Sequence, residues 1–341
     1  MSSNAAGPMK LRAMIEKWPL LEPFSITGYT FHAIDVLQVC LERNGRLGRA
    51  EAAGVYYKND NAVSMLQQIE GLRETIESGI DRSSLRQLMP PGGARNAVDC
   101  ALWDLEAKLT GRFAWQLADL PRPRGLITTF TCEVAAPEAM AATARAYTGA
   151  QALKLKLTGG ALDGDRVCAV RDARPDVWLG VDANQGFNRG FLERLMPLLV
   201  DKRVSLIEQP FPIADDALLD GFQSPIPIAA DESVQSLPDI RSLLDRFDVV
   251  NIKLDKCGGL TEGLAMAQLA HEHGLKTMVG NMSGTSLAMA PAFLLGQLCG
   301  VADLDGPAFL AADREVRVNY SNGYIRCPED LWGGLNSGTG K

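Results

Sequence analysis

The stretch ALKLKL (residues 152–157) decides how the rest of the chain is read. Its leucines and lysines alternate, and a period of two marks a β-strand. Lys154 and Lys156 therefore leave one face, while Leu153 and Leu155 leave the other. A Gly-Gly pair follows at 159–160 and ends the strand. Two like charges side by side in an apolar region call for a partner elsewhere in the chain.

Similar short, apolar or β-branched runs recur at intervals of about two dozen residues, separated by helix-like segments such as LTEGLAMAQLAHEHG (260–274), as parallel βαβ units require. They are LITTFTCEV (126–134), ALKLKL itself, VWLGVDAN (177–184), VSLIEQP (204–210), PIAADES (227–233), DVVNIKLD (248–255), KTMVG (276–280) and LCGVADLDG (298–306). Eight strands fit a TIM-type barrel better than a doubly wound sheet, because no Gly-rich phosphate loop follows the first of them.

Upstream the pattern differs. PFSITGYTF (23–31) and AIDVLQVCLE (33–42) read as short strands. AVSMLQQIEGLRETIES (62–78) and ARNAVDCALWDLEAKLTG (94–111) carry helical spacing, the second capped by Gly111. ADLPRPRG (118–125) is the best boundary. The expected division is an α+β domain over 1–120, an α/β barrel over 121–310, and a segment 311–341 that could return to the first domain.

Composition narrows the function. The 341 residues are 46% apolar and 22% charged, with a net charge of −7 and no dense Lys/Arg run, so a nucleic-acid partner is not expected. No run of 18 or more apolar residues suggests a membrane span. The opening MSSNAAGPMKLRAM lacks an apolar signal core, and seven cysteines show no CxxC spacing; both fit a reducing cytoplasm.

Barrel enzymes place their chemistry at the C-terminal ends of the strands. Those positions hold Lys154 and Lys156, Asp182 and Asn184, Glu208, Asp231 and Glu232, Lys253 and Asp255, and Asp303 and Asp305. Asp182, Glu208 and Asp231 come from three adjacent strands and would repel one another unless a cation joined them. An all-oxygen donor set suits Mg²⁺, one per subunit. Zinc is a poor fit, since His32, His271 and His273 lie away from the strand ends. His271 and His273 read as part of a solvated helix face.

Lys156 and Lys253 should face each other across the barrel mouth. A lysine acts as a base only when neutral, and the neighbouring charge of Lys154 would lower the Lys156 pKa. Two opposed bases on a planar enolate remove a proton from one face and return one to the other, which is racemisation or epimerisation next to a carboxylate. One base alone would suit dehydration or cycloisomerisation.

These residues resemble the enolase superfamily, in its muconate-lactonizing-enzyme-like branch. The resemblance rests on KLK (154–156), VDAN (181–184), IEQP (207–210), ADES (230–233), NIKLDKCGG (251–259) and AVDCALWDLEAKLTGR (97–112). It implies a modified (β/α)7β barrel under an α+β capping domain. It also implies Mg²⁺ on Asp182, Glu208 and Asp231, with Lys156 and Lys253 as the acid/base pair.

DLDGP (303–307) looks like the Asp-x-Asp motif with which dipeptide epimerases hold a substrate ammonium group. Two carboxylates on one face of a strand end also ask for a cation. The resemblance thus implies a small-molecule substrate, a dipeptide of the L-Ala-D/L-Glu class, and Lys154 touching its carboxylate. N-acylamino-acid racemisation, for instance of N-acyl-glutamate, is the nearest alternative. Cycloisomerisation, o-succinylbenzoate synthesis and non-catalytic binding follow. Barrels of this kind often assemble, so a homo-oligomer is expected.

Two departures stand out. VGNMSGTSLAMAPA (279–292) has small residues where many relatives carry an acid. The capping stretches PFSIT (23–27) and AAGVYYKND (52–60) offer Tyr56, Tyr57 and Lys58 but no arginine, which makes Lys58 the expected partner of a substrate side-chain carboxylate.

Overall fold

The computed structural model describes residues 8–26 and 29–335, with the side chains of 24–29 outside that description. The chain begins with a long antiparallel meander of β1 (Lys10–Ile26), β2 (Tyr29–Arg43) and β3 (Arg46–Ala52). Of the two short strands expected over 23–42, the first spans the end of β1 and the start of β2, and the second is most of β2. The first half of β1 hides its strand character because Met14, Ile15 and Leu21 stay exposed and a register shift falls between Pro19 and Phe24. Alternation fails where neither face is cleanly buried.

The helices α1 (Ala62–Gly71), α2 (Arg73–Glu77) and α3 (Arg82–Leu88) lead into α4 (Gly93–Thr110). Asn61 and Ser64 form a capping box on α1, and Gly111 closes α4 in the left-handed conformation (φ 66°). The expected single helix over 62–78 breaks at Leu72. α4 is buried along most of its length and packs on β3 at Gly48, where a Cβ would lie 2.3 Å from the Ala101 carbonyl oxygen. Only glycine permits that approach.

After a short strand β4 (Leu126–Ile127) the barrel strands follow: β5 (Thr129–Cys132), β6 (Ala152–Lys156), β7 (Trp178–Asp182), β8 (Leu206–Glu208), β9 (Ile228–Ala230), β10 (Val249–Lys253), β11 (Lys276–Gly280) and β12 (Val301–Ala302). They pair in sequence order, all parallel, and a bridge between Thr128 and Ala302 joins the first strand to the last. The fold is the expected eight-stranded barrel with an N-terminal cap. Its crossovers are α-helices except at 213–219 and 237–243, where 3₁₀ turns replace them.

Register sets the site. Lys156 stands beside Asp182 on β7, and Asp182 beside Glu208 on β8. β6 and β10 lie four strands apart in the eight-strand order, so Lys156 and Lys253 enter the mouth from opposite sides. Beyond the barrel, β13 (Asn319–Ser321) and β14 (Tyr324–Arg326) form a hairpin, and β14 pairs with β4. The chain then meets α4, with Trp332 Nε1 donating to the Cys100 carbonyl and Gly333 N–H to Asp104.

Candidate active site

A cavity of about 320 Å³ lies between the barrel mouth and the cap, within the range of small-molecule sites. Its floor carries the strand-end residues. Lys154 and Lys156 are buried although charged, and each is matched by acids. Lys156 Nζ donates to Asp182 Oδ2 (2.7 Å) and Asn184 Oδ1 (3.0 Å). Lys154 donates to Asp303 and lies 3.5 Å from Glu208 Oε2 and 3.7 Å from Asp182 Oδ2. Across the mouth, Lys253 Nζ donates to Asp231 Oδ2 (2.7 Å). Gly280 makes room for that lysine, since a Cβ there would lie 2.9 Å from Lys253 Cε.

Protonation follows these pairings. Burial alone would lower the Lys156 pKa, and Lys154 lowers it further as expected. The carboxylates of Asp182, Glu208 and Glu133, Asp182 foremost, together outweigh both, and the net shift is upward. The sequence-based expectation of a lowered Lys156 is therefore not met in this arrangement, because Lys156 sits among several carboxylates as well as beside Lys154. Lys154 and Lys253 also end above the ordinary lysine value: burial lowers each, and is overcome by Asp303 with Glu208 and Asp182 for Lys154 and by Asp231 with Glu208 for Lys253. Burial and the neighbouring Asp182 push Glu208 up to about 8, and burial and Asp231 push Glu232 up to about 7.

Among the described residues, no three His, Cys, Asp or Glu side chains are gathered closely enough to hold a metal as they stand. Lysine ammonium groups lie among the three acids instead. The donor set nevertheless fits a hard cation: three carboxylates end adjacent strands, and Glu208 Oε2 is buried with no hydrogen-bond partner. Glu208 Oε1 is oriented by Asn251 Nδ2 at 2.7 Å, and the Asp231 backbone N–H by Gln209 Oε1 at 2.9 Å.

Asp303 and Asp305 both line the cavity. Asp303 accepts from Lys154 and from Thr129 Oγ1 (2.5 Å), and Asp305 accepts from Thr131 N–H (2.8 Å). The cation that this pair asks for is here the side chain of Lys154. Burial and Asp303 raise Asp305 to about 6.

Asp255 does not face the cavity. It accepts the N–H groups of Ala53 and Gly54, each at 2.9 Å, and so ties the barrel to the cap loop that carries Tyr56 and Tyr57. Lys58 lies outside the cavity lining, close to Asp239 and Asp60. Its expected role is not supported, because the short 3₁₀ turn Tyr56–Lys58 turns the tyrosines, not the lysine, to the cavity. The stretch PFSIT falls largely outside the described side chains.

Two families match the chain: "Mandelate racemase / muconate lactonizing enzyme, N-terminal domain" over residues 9–118, and "Enolase C-terminal domain-like" over 138–333. The chain belongs to the enolase superfamily. It is 39% identical to the L-Ala-D/L-Glu epimerase of Escherichia coli, over 91% of this chain and 97% of that one. It is 37% identical to the N-acetyl-D-glutamate racemase of a Pseudoalteromonas species, over 83% and 90%. A solved enolase-family protein from Agrobacterium tumefaciens, with homology to dipeptide epimerases and bound sodium and L-Ala-L-Glu, superposes with a TM-score of 0.92 at 40% identity, covering 96% of this chain and 100% of that one. A dipeptide epimerase from Enterococcus faecalis complexed with Mg and L-Leu-L-Tyr gives 0.86 at 27%, covering 96% and 99%. Like these enolase-superfamily relatives, the chain is an isomerase of the racemase and epimerase kind.

Sequence reading missed two residues of this superfamily member's floor. Lys256 is fully buried and donates to Asp231 Oδ1 at 2.5 Å, so Asp231 is clasped by two lysines and lies well below the usual carboxylate range. Its position on a short helix, Leu254–Cys257, just past β10, hid it from a reading restricted to strand ends. Glu133 follows β5, and the register Cys132–Leu155 sets it beside Lys156. Both its oxygens are buried without a hydrogen-bond partner, and burial raises it to about 7. Strand alternation through Thr129 and Thr131 would have found it.

Proposed function

We propose that this enolase-superfamily member is an Mg²⁺-dependent dipeptide epimerase working by two-lysine 1,1-proton transfer. The observation that carries this reading is the placement of Lys156 and Lys253 on opposite sides of one barrel mouth, with Asp182, Glu208 and Asp231 ending the strands between them. Those three carboxylates would hold the metal. Mg²⁺ bound there supplies positive charge against which a substrate carboxylate can accept electron density.

The chain's own residues account for the rest. A substrate with its carboxylate at the floor sets its α-carbon between the two lysines. Whichever lysine is neutral removes the α-proton from its side, and the ammonium of the other donates to the opposite face, inverting the centre. Lys154 turns from Asp303 to the substrate carboxylate, which frees Asp303 and Asp305 for the ammonium of a dipeptide. Asn184 and Asp182 hold the Lys156 ammonium in position between turnovers, as Asp231 does for Lys253.

The test is incubation with dipeptides in D₂O. Deuterium should enter the α-position of the second residue together with its inverted isomer, and absence of exchange with every dipeptide would overturn the reading. The engagement of Asp303 by Lys154 and Thr129 favours one alternative, racemisation of an N-acylamino acid, which has no ammonium to place there. Under that reading, Asp303→Asn with Asp305→Asn leaves turnover of N-acyl substrates nearly intact.

A further inference from the structure

The roof of the cavity differs in kind from its floor. The cap contributes Ile15, Phe31, Ile34, Tyr56, Tyr57 and Val63. Phe31 meets Tyr56 edge-on with ring centroids 5.6 Å apart, and Tyr56 meets Tyr57 at 5.2 Å. Among the described residues, the only cations lining the cavity are Lys154, Lys156 and Lys253, all on the floor and all paired with carboxylates.

The charges that the roof does show are acidic, Asp35 and Asp60. Two nearby cap lysines lie outside the lining. Lys17 stands opposite Asp35 in the hairpin register, and Lys58 is beside Asp60. Residues 24–30, running from the end of β1 to the start of β2, read FSITGYT and contain no charged residue.

With a substrate carboxylate on the floor and its α-carbon between two lysines, the side chain on that carbon would reach the cap residues and Met282, Ser283 and Phe309, none of them a cation. A carboxylate buried there would meet two acids and, among the described residues, no cation other than the paired floor lysines, which is strongly unfavourable. An apolar group would instead shed water against aromatic and aliphatic surface.

Building on the two-lysine reading above, we propose that the residue whose α-carbon is inverted carries an uncharged, apolar side chain, aromatic or branched aliphatic, seated against Phe31, Ile34, Tyr56 and Tyr57, and that glutamate is a poor occupant.

The experiment uses four compounds with the intact Mg²⁺-loaded protein: L-Ala-L-Phe, L-Ala-L-Glu, N-acetyl-L-Phe and N-acetyl-L-Glu, each followed for α-deuterium uptake in D₂O. The Phe-to-Glu ratio reads the roof, and the dipeptide-to-N-acetyl ratio reads the floor, so either can fail alone. The expected result is a kcat/KM for the Phe member above that for the Glu member by at least about tenfold, in whichever series turns over. Equal rates, a preference for Glu, or exchange with none of the four would overturn the proposal. Ile15→Arg, at a partly exposed roof position, should cut the Phe-to-Glu ratio by about tenfold or more. A folded Ile15→Arg protein with an unchanged ratio would count against the seat, and Phe31→Arg repeats the measurement on the opposite strand of the hairpin.

Discussion

The floor and the roof of one cavity obey opposite rules. The floor gathers at least eight buried charged side chains within the barrel mouth, each held by a neighbour of opposite sign or by a backbone N–H. The roof brings aromatic and aliphatic groups from two strands and a 3₁₀ turn, beside the acids Asp35 and Asp60. The difference teaches that one cavity can be built from a charged, paired surface supplied by the barrel and a largely aromatic and aliphatic one supplied by the cap. Under the proposed function the floor would set what happens at the α-carbon, and the roof would set which substituent that carbon carries.

Breaking the floor should have the largest effect. Replacing either Lys156 or Lys253 with Ala should lower racemisation by about 10³-fold or more, within the span or beyond it for general acid–base groups. Each variant should keep some exchange of one enantiomer's α-proton without inversion, because the opposite lysine survives. Polarimetry beside NMR separates the two outcomes; equal loss for both enantiomers in both variants would contradict opposed bases. Stripping metal with EDTA should silence the protein, and Mg²⁺ should restore it.

Lys256→Met tests the floor as structure. It leaves the buried Asp231 with one lysine instead of two, and unbalancing such a group should cost about 3 kcal/mol of stability, read as a lower urea midpoint. A midpoint unchanged within error would mean that Lys253 alone satisfies Asp231.

The junction between floor and roof should respond to pH. Asp255 is raised from 3.8 to about 7, chiefly by burial, although two backbone N–H groups oppose the rise. Its folded state therefore holds a proton that the unfolded chain releases. Stability from this group is complete below pH 4 and is lost as pH climbs through about 7. Asp255→Asn should flatten the fall in urea midpoint between pH 5 and pH 8. The smallest effect is expected at Lys58, whose replacement by Ala should shift stability by no more than about 0.5 kcal/mol and leave kcat/KM nearly unchanged.

Much of the floor was legible in the linear chain. A parallel barrel sends the ends of its strands to one rim, and strict alternation tells which residue at each end points inward. Reading VDAN, IEQP, ADES and NIKLD at their ends therefore brings out Asp182, Glu208, Asp231 and Lys253 without knowledge of any distance. The same rule would have reached Glu133, one step beyond β5. It could not reach Lys256, which lies on a helical turn where the period of two no longer applies.

Partner choice was less legible than position. Lys154 was expected to tune Lys156, yet it is joined to Asp303, 149 residues away, and Asp182 governs Lys156. Two like charges adjacent in sequence say nothing about which acids will meet them, since Coulomb energy depends on distances that only folding sets. Lys58 shows the same limit in the cap. Its sequence neighbours Tyr56 and Tyr57 enter the cavity while it does not, because one 3₁₀ turn divides their directions.

The sequence by itself determined the barrel, its cap and the chemical inventory of the rim, because strand periodicity and helix caps are local and the barrel rule converts them into a shared location. Only the tertiary structure decided which charges pair, that Asp255 binds the cap to the barrel, and that the roof is mainly aromatic and aliphatic with two acids. Those outcomes join side chains from strands and turns far apart in the chain, and no short-range pattern carries the distances between them.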